Sequence, residues 1–190
     1  MHERTRELAT INLVFTMAGK YTRFQAFGHK VPKYLFPFST GTVLYEVIRN
    51  LLRAVPNANV HLIANRSDQL FVPIIKSIVD TFENSNSQVM FVDDTAGQVE
   101  TASHIHNFRY SPNINDPICF ANIDTILCNR QSYFEMLRGL SGETAGLIDT
   151  FKGSSHEYSY CQTGADGQVT HLAEKRIISN DACSGLYGFG

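Results

Sequence analysis

The chain has 190 residues, room for one domain or for one domain and a piece of another. Apolar residues make up 43% and charged residues 18%, which permits a sizeable buried core. A net charge of -2 gives no general attraction to nucleic acid or an anionic membrane, and no apolar run reaches the roughly 20 residues needed to span a bilayer.

The first ten residues, MHERTRELAT, mix charges and lack an apolar h-region, so no secretory signal is read there and a cytoplasmic location is expected. Ile11–Thr16 is almost continuously apolar, which predicts a first strand buried on both faces. It stops at Met17-Ala18-Gly19. A polar, irregular loop follows and concentrates positive charge in Lys20, Arg23, Lys30 and Lys33. Phe24, Phe27, Phe36 and Phe38 are expected to pack this loop against the sheet.

From Val43 to Ala54 the apolar residues recur at helical spacing. Val60–Ala64 is a second strand and Val72–Phe82 a second helix. Val89–Val92 is a third strand, and Gln98–Phe108 is helical. Ile118–Ala121 is a fourth strand, Gln131–Leu140 a helix and Ala145–Thr150 a fifth strand. Strand and helix alternate, which predicts an α/β fold built on a doubly wound, mostly parallel Rossmann-like sheet. After Phe151 the pattern becomes a β-hairpin, Tyr158–Gln162 and Val169–Leu172 around Gly164-Ala165-Asp166-Gly167, and then a strand over Ala182–Phe189. The four cysteines form no C-x-x-C pair, so reduced thiols are expected rather than a zinc site. Residues 1–190 read as a single domain, and its end at Gly190, in or just after a strand, reads as the mark of a missing C-terminal part.

In open α/β sheets ligands bind beyond the carboxyl ends of the strands. The loops after the first and fourth strands are therefore the first places to seek chemistry. At Gly19 the backbone is open to close approach by a phosphate. Arg23 offers bidentate bonds to a pyrophosphate. Lys33 follows Pro32, whose ring fixes the local backbone, and a held ammonium offsets charge growing on a phosphoryl group in flight. Each cation alone reads as an ordinary surface residue; together, between one strand and one helix, they read as a small-anion site. A P-loop is excluded because Val14 and Tyr21 stand where Gly and Ser or Thr are needed. A G-x-G-x-x-G fingerprint is excluded by Tyr21 as well.

Asp124, at the end of Ile118-Cys119-Phe120-Ala121-Asn122-Ile123-Asp124, is a suitable Mg²⁺ ligand when a triphosphate supplies further oxygens. By itself it is as well read as the cap of a turn. Gly97, before a predicted helix, leaves room for a flat base, or is simple punctuation. Glu174-Lys175 places an acid and a base on opposite faces of a strand.

Gly19-Lys20-Tyr21-Thr22-Arg23 and Pro32-Lys33-Tyr34-Leu35-Phe36-Pro37 resemble the G-x-G-x-R and P-K-x-L-x-P segments of the nucleoside-diphosphate-sugar pyrophosphorylases. Asn122 and Asp124 match the N-x-D segment of those sugar nucleotidyltransferases. Glu174-Lys175-Arg176 is similar to their E-K-P element, and Gly185-Leu186-Tyr187-Gly188-Phe189 to a following G-x-Y-x-F strand. The resemblance covers Ile11 to Phe189 in motif order. It implies a GT-A-like nucleotidyltransferase fold and the joining of a nucleoside triphosphate to a sugar 1-phosphate with Mg²⁺. It further implies that Arg23, Lys33 and Asp124 are catalytic and that Asp124 holds the metal. Met17, Ala18, Gly19, Gly97 and Asn122 would then contact the nucleotide, and Glu174 and Lys175 the acceptor. The departures are Tyr21 in place of the second glycine, where a bulky side chain narrows the pocket or reshapes the loop, Arg176 in place of Pro, and no second metal-binding Asp. Three other readings stand beside this one: a cytidylyltransferase-like enzyme with a non-sugar phosphate acceptor, a non-catalytic nucleotide-binding regulatory domain, and a glycosyltransferase, whose D-x-D motif is only half present. The implied partners are small molecules rather than nucleic acid or membrane, and a homo-oligomer is compatible with all of these readings.

Overall fold

The computed structural model describes residues 10–82, 86–108, 116–140 and 146–190. The amino-terminal segment to residue 9, residues 109–115 and Ala145, at the start of the predicted fifth strand, lie outside the described residues, as does the side chain of Arg23.

The first strand, β1 (Asn12–Met17), is flanked on both sides. Its alternate residues feed two different cores, which is why its sequence is a continuous apolar run. Leu13, Phe15 and Met17 enter the larger cluster, and Val14 and Ala18 the smaller one on the opposite face. A short helix α1 (Thr22–Ala26) follows, then a 3-10 turn at Lys33–Leu35. Next come the two-residue pair β2 (Pro37–Phe38) and β3 (Gly41–Thr42). The long loop read as irregular is therefore partly ordered. Of its four phenylalanines, Phe24 and Phe36 meet edge to face at 5.2 Å. Phe27, which closes α1, and Phe38, on β2, are instead solvent-exposed, at 85% and 48%.

Helix α2 spans Val43–Ala54, with Thr42 at its N-cap accepting from the amide of Tyr45 at 3.2 Å. It buries Leu44, Val47, Ile48 and Leu51, the 3.6-residue stripe seen in the sequence. Strand β4 (Asn59–Asn65) leads through a 3-10 turn, Arg66–Phe71, into α3 (Val72–Val79), where Pro73 occupies the first turn. Strand β5 (Ser87–Val92) precedes α4 (Gln98–Ser103), which tightens into a 3-10 turn over His104–Asn107. Strand β6 (Ile118–Asn122) and α5 (Gln131–Arg138) complete the helix-crossing part of the chain. Strands β7 (Gly146–Lys152), β8 (Ser159–Thr163), β9 (Val169–Glu174) and β10 (Asp181–Phe189) follow.

The large sheet runs β5-β4-β1-β6-β10-β8-β9, with β7 pairing β10. Strands β5, β4, β1 and β6 are parallel, and β10 joins β6 antiparallel. The fold is thus an α/β mixed sheet with a parallel, doubly wound half, and β8–β9 is the predicted hairpin. Strand β7 is not a fifth parallel strand. It is antiparallel to β10, which inserts between it and β6. Among the described residues no helix is long and apolar enough to cross a membrane. The four cysteines are free thiols.

Candidate active site

Strand order reverses at β1. The chain passes from β1 to β4 and β5 on one side and returns to β6 on the other. The crevice beyond such a reversal is the natural ligand site of an open parallel sheet. Its two walls are set by register, since Thr16 on β1 pairs with Asn122 on β6. The residues that follow, Met17 to Gly19 and Ile123 to Asp124, therefore leave the sheet side by side.

A cleft of about 150 Å³ lies there, lined by Thr16, Met17, Gly19, Tyr21, Lys33, Tyr34, Asn122, Ile123 and Asp124. Across it the Lys33 ammonium donates to Asp124 Oδ2 at 2.6 Å, although the two residues are 91 apart in sequence. Both side chains keep contact with water, at 32% and 49% exposure. Lys33 is aimed by its backbone. The Leu35 amide donates to the Pro32 carbonyl at 2.9 Å, closing the 3-10 turn that carries it.

The loop after β1 is pinned from below. Asn65, at the end of β4, donates to the Ala18 carbonyl at 3.2 Å and to Asp94 Oδ1 at 3.0 Å. Lys20 pairs with Asp94 at 2.7 Å. The bonds from Lys20 and Asn65 hold the Asp94 carboxyl below the usual carboxylate range. Met17 and Ala18 are buried, so the chain can offer a ligand their backbone rather than their side chains. At Gly19 a Cβ would meet nothing within 4 Å, and the same holds at Gly97. Both glycines face open space.

Asn122 is held from two sides. Gln98, in the first turn of α4, donates to its Oδ1 at 2.9 Å. Gly185 on β10 passes so close that a Cβ there would stand 2.3 Å from Asn122 Nδ2. Gly185 has φ +88 and marks a register shift in β10 between Cys183 and Tyr187.

Tyr21 turns into the protein. Its hydroxyl donates to Asp68 Oδ1 at 2.6 Å, and Tyr34 donates to Asp68 Oδ2 at 2.9 Å. Burial, and then the nearby carboxylate, push both phenols well above their ordinary value, so they remain donors. The ring of Tyr21 forms part of the cleft wall where a glycine would leave space.

The remaining expected residues come from α1 and from the end of β9. Arg23 is on α1, downstream of Gly19. Glu174 and Lys175 stand at the exposed end of β9 and do not line the cleft. β8 pairs Asp181 and Ala182 on the same edge of β10 that pairs β6 through Leu186–Phe189, so the β8–β9 hairpin lies beyond the carboxyl end of β6. Lys175 adopts a left-handed φ of 53 and pairs with Glu174 at 3.5 Å. Sequence reading passed over Asn65 and Asp68. The available signal was their place at and just beyond the end of the buried strand β4, at the same carboxyl edge as Gly19 and Asp124.

Among the described residues no group of three or more His, Cys, Asp or Glu side chains could cage a metal. A single half-exposed carboxylate at the cleft still suits Mg²⁺, which takes one or two carboxylates and fills its remaining positions with water and substrate oxygens.

No family model matches the chain, and no curated protein matches it significantly. Solved structures do. A nucleoside-diphosphate-sugar pyrophosphorylase from Vibrio cholerae RC9 superposes with a TM-score of 0.74 at 20% identity, over 94% of this chain and 72% of that one. A Bacillus anthracis protein designated a glucose-1-phosphate thymidylyltransferase, solved with sucrose, gives 0.79 at 14% identity over 95% and 71%. A UDP-glucose pyrophosphorylase bound to UDP-glucose gives 0.74 at 13% identity over 95% and 76%. At these identities the likeness is one of fold, and it extends over nearly the whole of this chain.

Proposed function

We propose that this chain is the nucleotidyltransferase domain of an enzyme joining a nucleoside triphosphate to a sugar 1-phosphate. The observation that carries this reading is the Lys33–Asp124 pair, which sets a cation and a carboxylate on opposite walls of one crevice at the sheet's reversal point.

In the reaction a phosphate oxygen of the acceptor bonds to the α-phosphorus. The bond from that phosphorus to the bridging oxygen breaks, and pyrophosphate leaves with the electron pair. The acceptor phosphate is already ionised, so no general base is required, and catalysis rests on positioning and electrostatics. Lys33 stabilises charge on the phosphoryl oxygens in flight. The open backbone at Gly19 receives the phosphates, Arg23 binds the departing pyrophosphate, and Gly97 and Asn122 border the base. Asp124 is the residue that would hold Mg²⁺, which neutralises triphosphate charge when bound. Glu174 and Lys175 are assigned to the acceptor; the β8–β9 hairpin that leads to them shares an edge of β10 with β6.

One observation favours a second reading. Tyr21 occupies cleft wall that a glycine would leave free, which suits a domain that binds nucleotide without turning it over. Pyrophosphate release, measured for several triphosphates against phosphorylated acceptors, separates the two. Lys33→Ala and Asp124→Ala should each slow release at least about tenfold, ~1.4 kcal/mol of transition-state stabilisation. Their melting temperatures should stay near wild type, since a pair this exposed contributes about 0–1 kcal/mol to folding. Wild-type rates in both variants refute the assignment.

A further inference from the structure

Asp68 is completely buried yet belongs to no wall of the cleft. A carboxylate removed from water must be hydrogen-bonded or it destabilises the fold. Its partners here are two phenols from opposite ends of the cationic loop. Tyr21, 47 residues away in sequence, comes from the segment just after Gly19. Tyr34, 34 residues away and 1% exposed, comes from the 3-10 turn that carries Lys33. The anchor itself is fixed. Asp68 lies in the 3-10 turn after β4, where Asn65 Oδ1 accepts from the Ser67 amide at 2.9 Å and from the Ser67 hydroxyl at 2.7 Å.

We infer that Asp68 is a positioning residue. Its two carboxylate oxygens clasp the loop after β1 at Tyr21 and Tyr34, and this holds the neighbouring Lys33 against the opposite wall. The inference rests on the phosphate-binding role proposed for Lys33. Tyr21 then has a use of its own in the place of a glycine. Its ring closes one side of the cleft, and its hydroxyl ties the loop that a more open sequence would leave free to move. Hydrogen bonds to a buried carboxylate are among the stronger ones available, because the acceptor is charged and the dielectric is low. A loop immobilised this way has less conformational freedom to lose when an anion binds.

The test is a mutant cycle on the full chain, read by calorimetric titration with inorganic pyrophosphate and Mg²⁺. Tyr21→Phe and Tyr34→Phe each delete a single oxygen and keep the ring. Asp68→Asn keeps the shape and one acceptor. In the wild-type background Tyr34→Phe and Asp68→Asn should weaken binding about five- to tenfold, and Tyr21→Phe less, because a tenfold change needs only a small displacement of one charge–charge contact. In the Lys33→Ala background the same changes should weaken binding less than about twofold, because the group they position is gone. A clasp that serves only folding would lower the melting temperature without this coupling, so equal losses in both backgrounds overturn the inference, as does wild-type affinity in all three variants. Pyrophosphate binding that is unchanged by Lys33→Ala, or absent from the wild-type chain, overturns the phosphate-site reading together with the clasp and is distinguishable from failure of the clasp alone.

Discussion

Replacing Gly185 by Ala should be among the most destabilising small changes in this protein. Two effects add. The backbone sits at φ +88, where an L side chain is strained by ~1–3 kcal/mol. The new Cβ would also stand 2.3 Å from Asn122 Nδ2, 2.6 Å from its Cγ and 3.0 Å from its Cβ. Ordinary carbon contacts begin near 3.5 Å, so Asn122 must retreat by about 1 Å. That movement breaks its 2.9 Å bond from Gln98, worth about 1 kcal/mol. Together these give ~2–4 kcal/mol, which at a urea dependence of about 2 kcal/mol/M lowers the unfolding midpoint by about 1–2 M. Asn122→Ala deletes the two nearest atoms together with the Gln98 bond, so in that background Gly185→Ala should cost about 1 kcal/mol less than in wild type, only the backbone strain and the 3.0 Å contact remaining. A single-variant midpoint within about 0.2 M of wild type would show that β10 yields freely here, and the argument that Gly185 sets Asn122 would fail.

Two other groups make separate predictions. His61 is buried with its Nε2 3.1 Å from Asn12 Oδ1, and burial pushes its imidazole from 6.5 down to about 4. The unfolded chain therefore takes up a proton in a range where the folded one does not. Stability should fall as pH drops from about 6.5 to about 4, by about 3 kcal/mol when the window is fully crossed. Urea midpoints at pH 7 and pH 4.5 should diverge less in His61→Gln than in wild type; identical slopes would remove His61 as the cause. Arg130 joins the start of α5 to β7, bonding Asp149 at 3.0 Å and the Cys128 carbonyl at 2.8 Å. Arg130→Ala leaves a mostly buried carboxylate without its cation and should cost about 1–2 kcal/mol, with pyrophosphate release per folded molecule unchanged. A stability loss under about 0.3 kcal/mol would show that water replaces the guanidinium fully.

The parts of the fold legible in the sequence are those fixed by local periodicity. Helix α2 begins and ends where the Val43–Ala54 stripe does, because Thr42 caps it and one apolar face drives it onto the sheet. The double burial of β1 was visible as an unbroken apolar run for the same reason. Strand direction was not legible. Nothing within Ala145–Thr150 distinguishes a parallel partner from an antiparallel one, because that choice is made by β10, some 35 residues later. The order inside the cationic loop was hidden too. Helix α1 has no side-chain cap and no apolar stripe of its own. At the site, Lys33 and Asp124 could be singled out because unlike charges end adjacent strand-loop units, and the Thr16–Asn122 register then brings those units together. Asp68 could not, since a carboxylate after a strand is usually a solvated cap, and only the tertiary arrival of two phenols makes it an anchor. Glu174 and Lys175 were legible only as a motif, because the edge of β10 that receives the β8–β9 hairpin is chosen by tertiary pairing.

The position of β10 has a consequence for how the molecule comes into being. Among the described strands it is the last to be synthesised, yet it is the seam to which β6, β7 and β8 are all stitched. Until residues 181–189 have left the ribosome, β6 carries an unpaired edge and both β7 and the β8–β9 hairpin have nowhere to dock. Such bare edges are templates for intermolecular pairing. The nascent chain therefore stays adhesive until β10 has emerged, and closure of the sheet waits on the latest-born of the described strands.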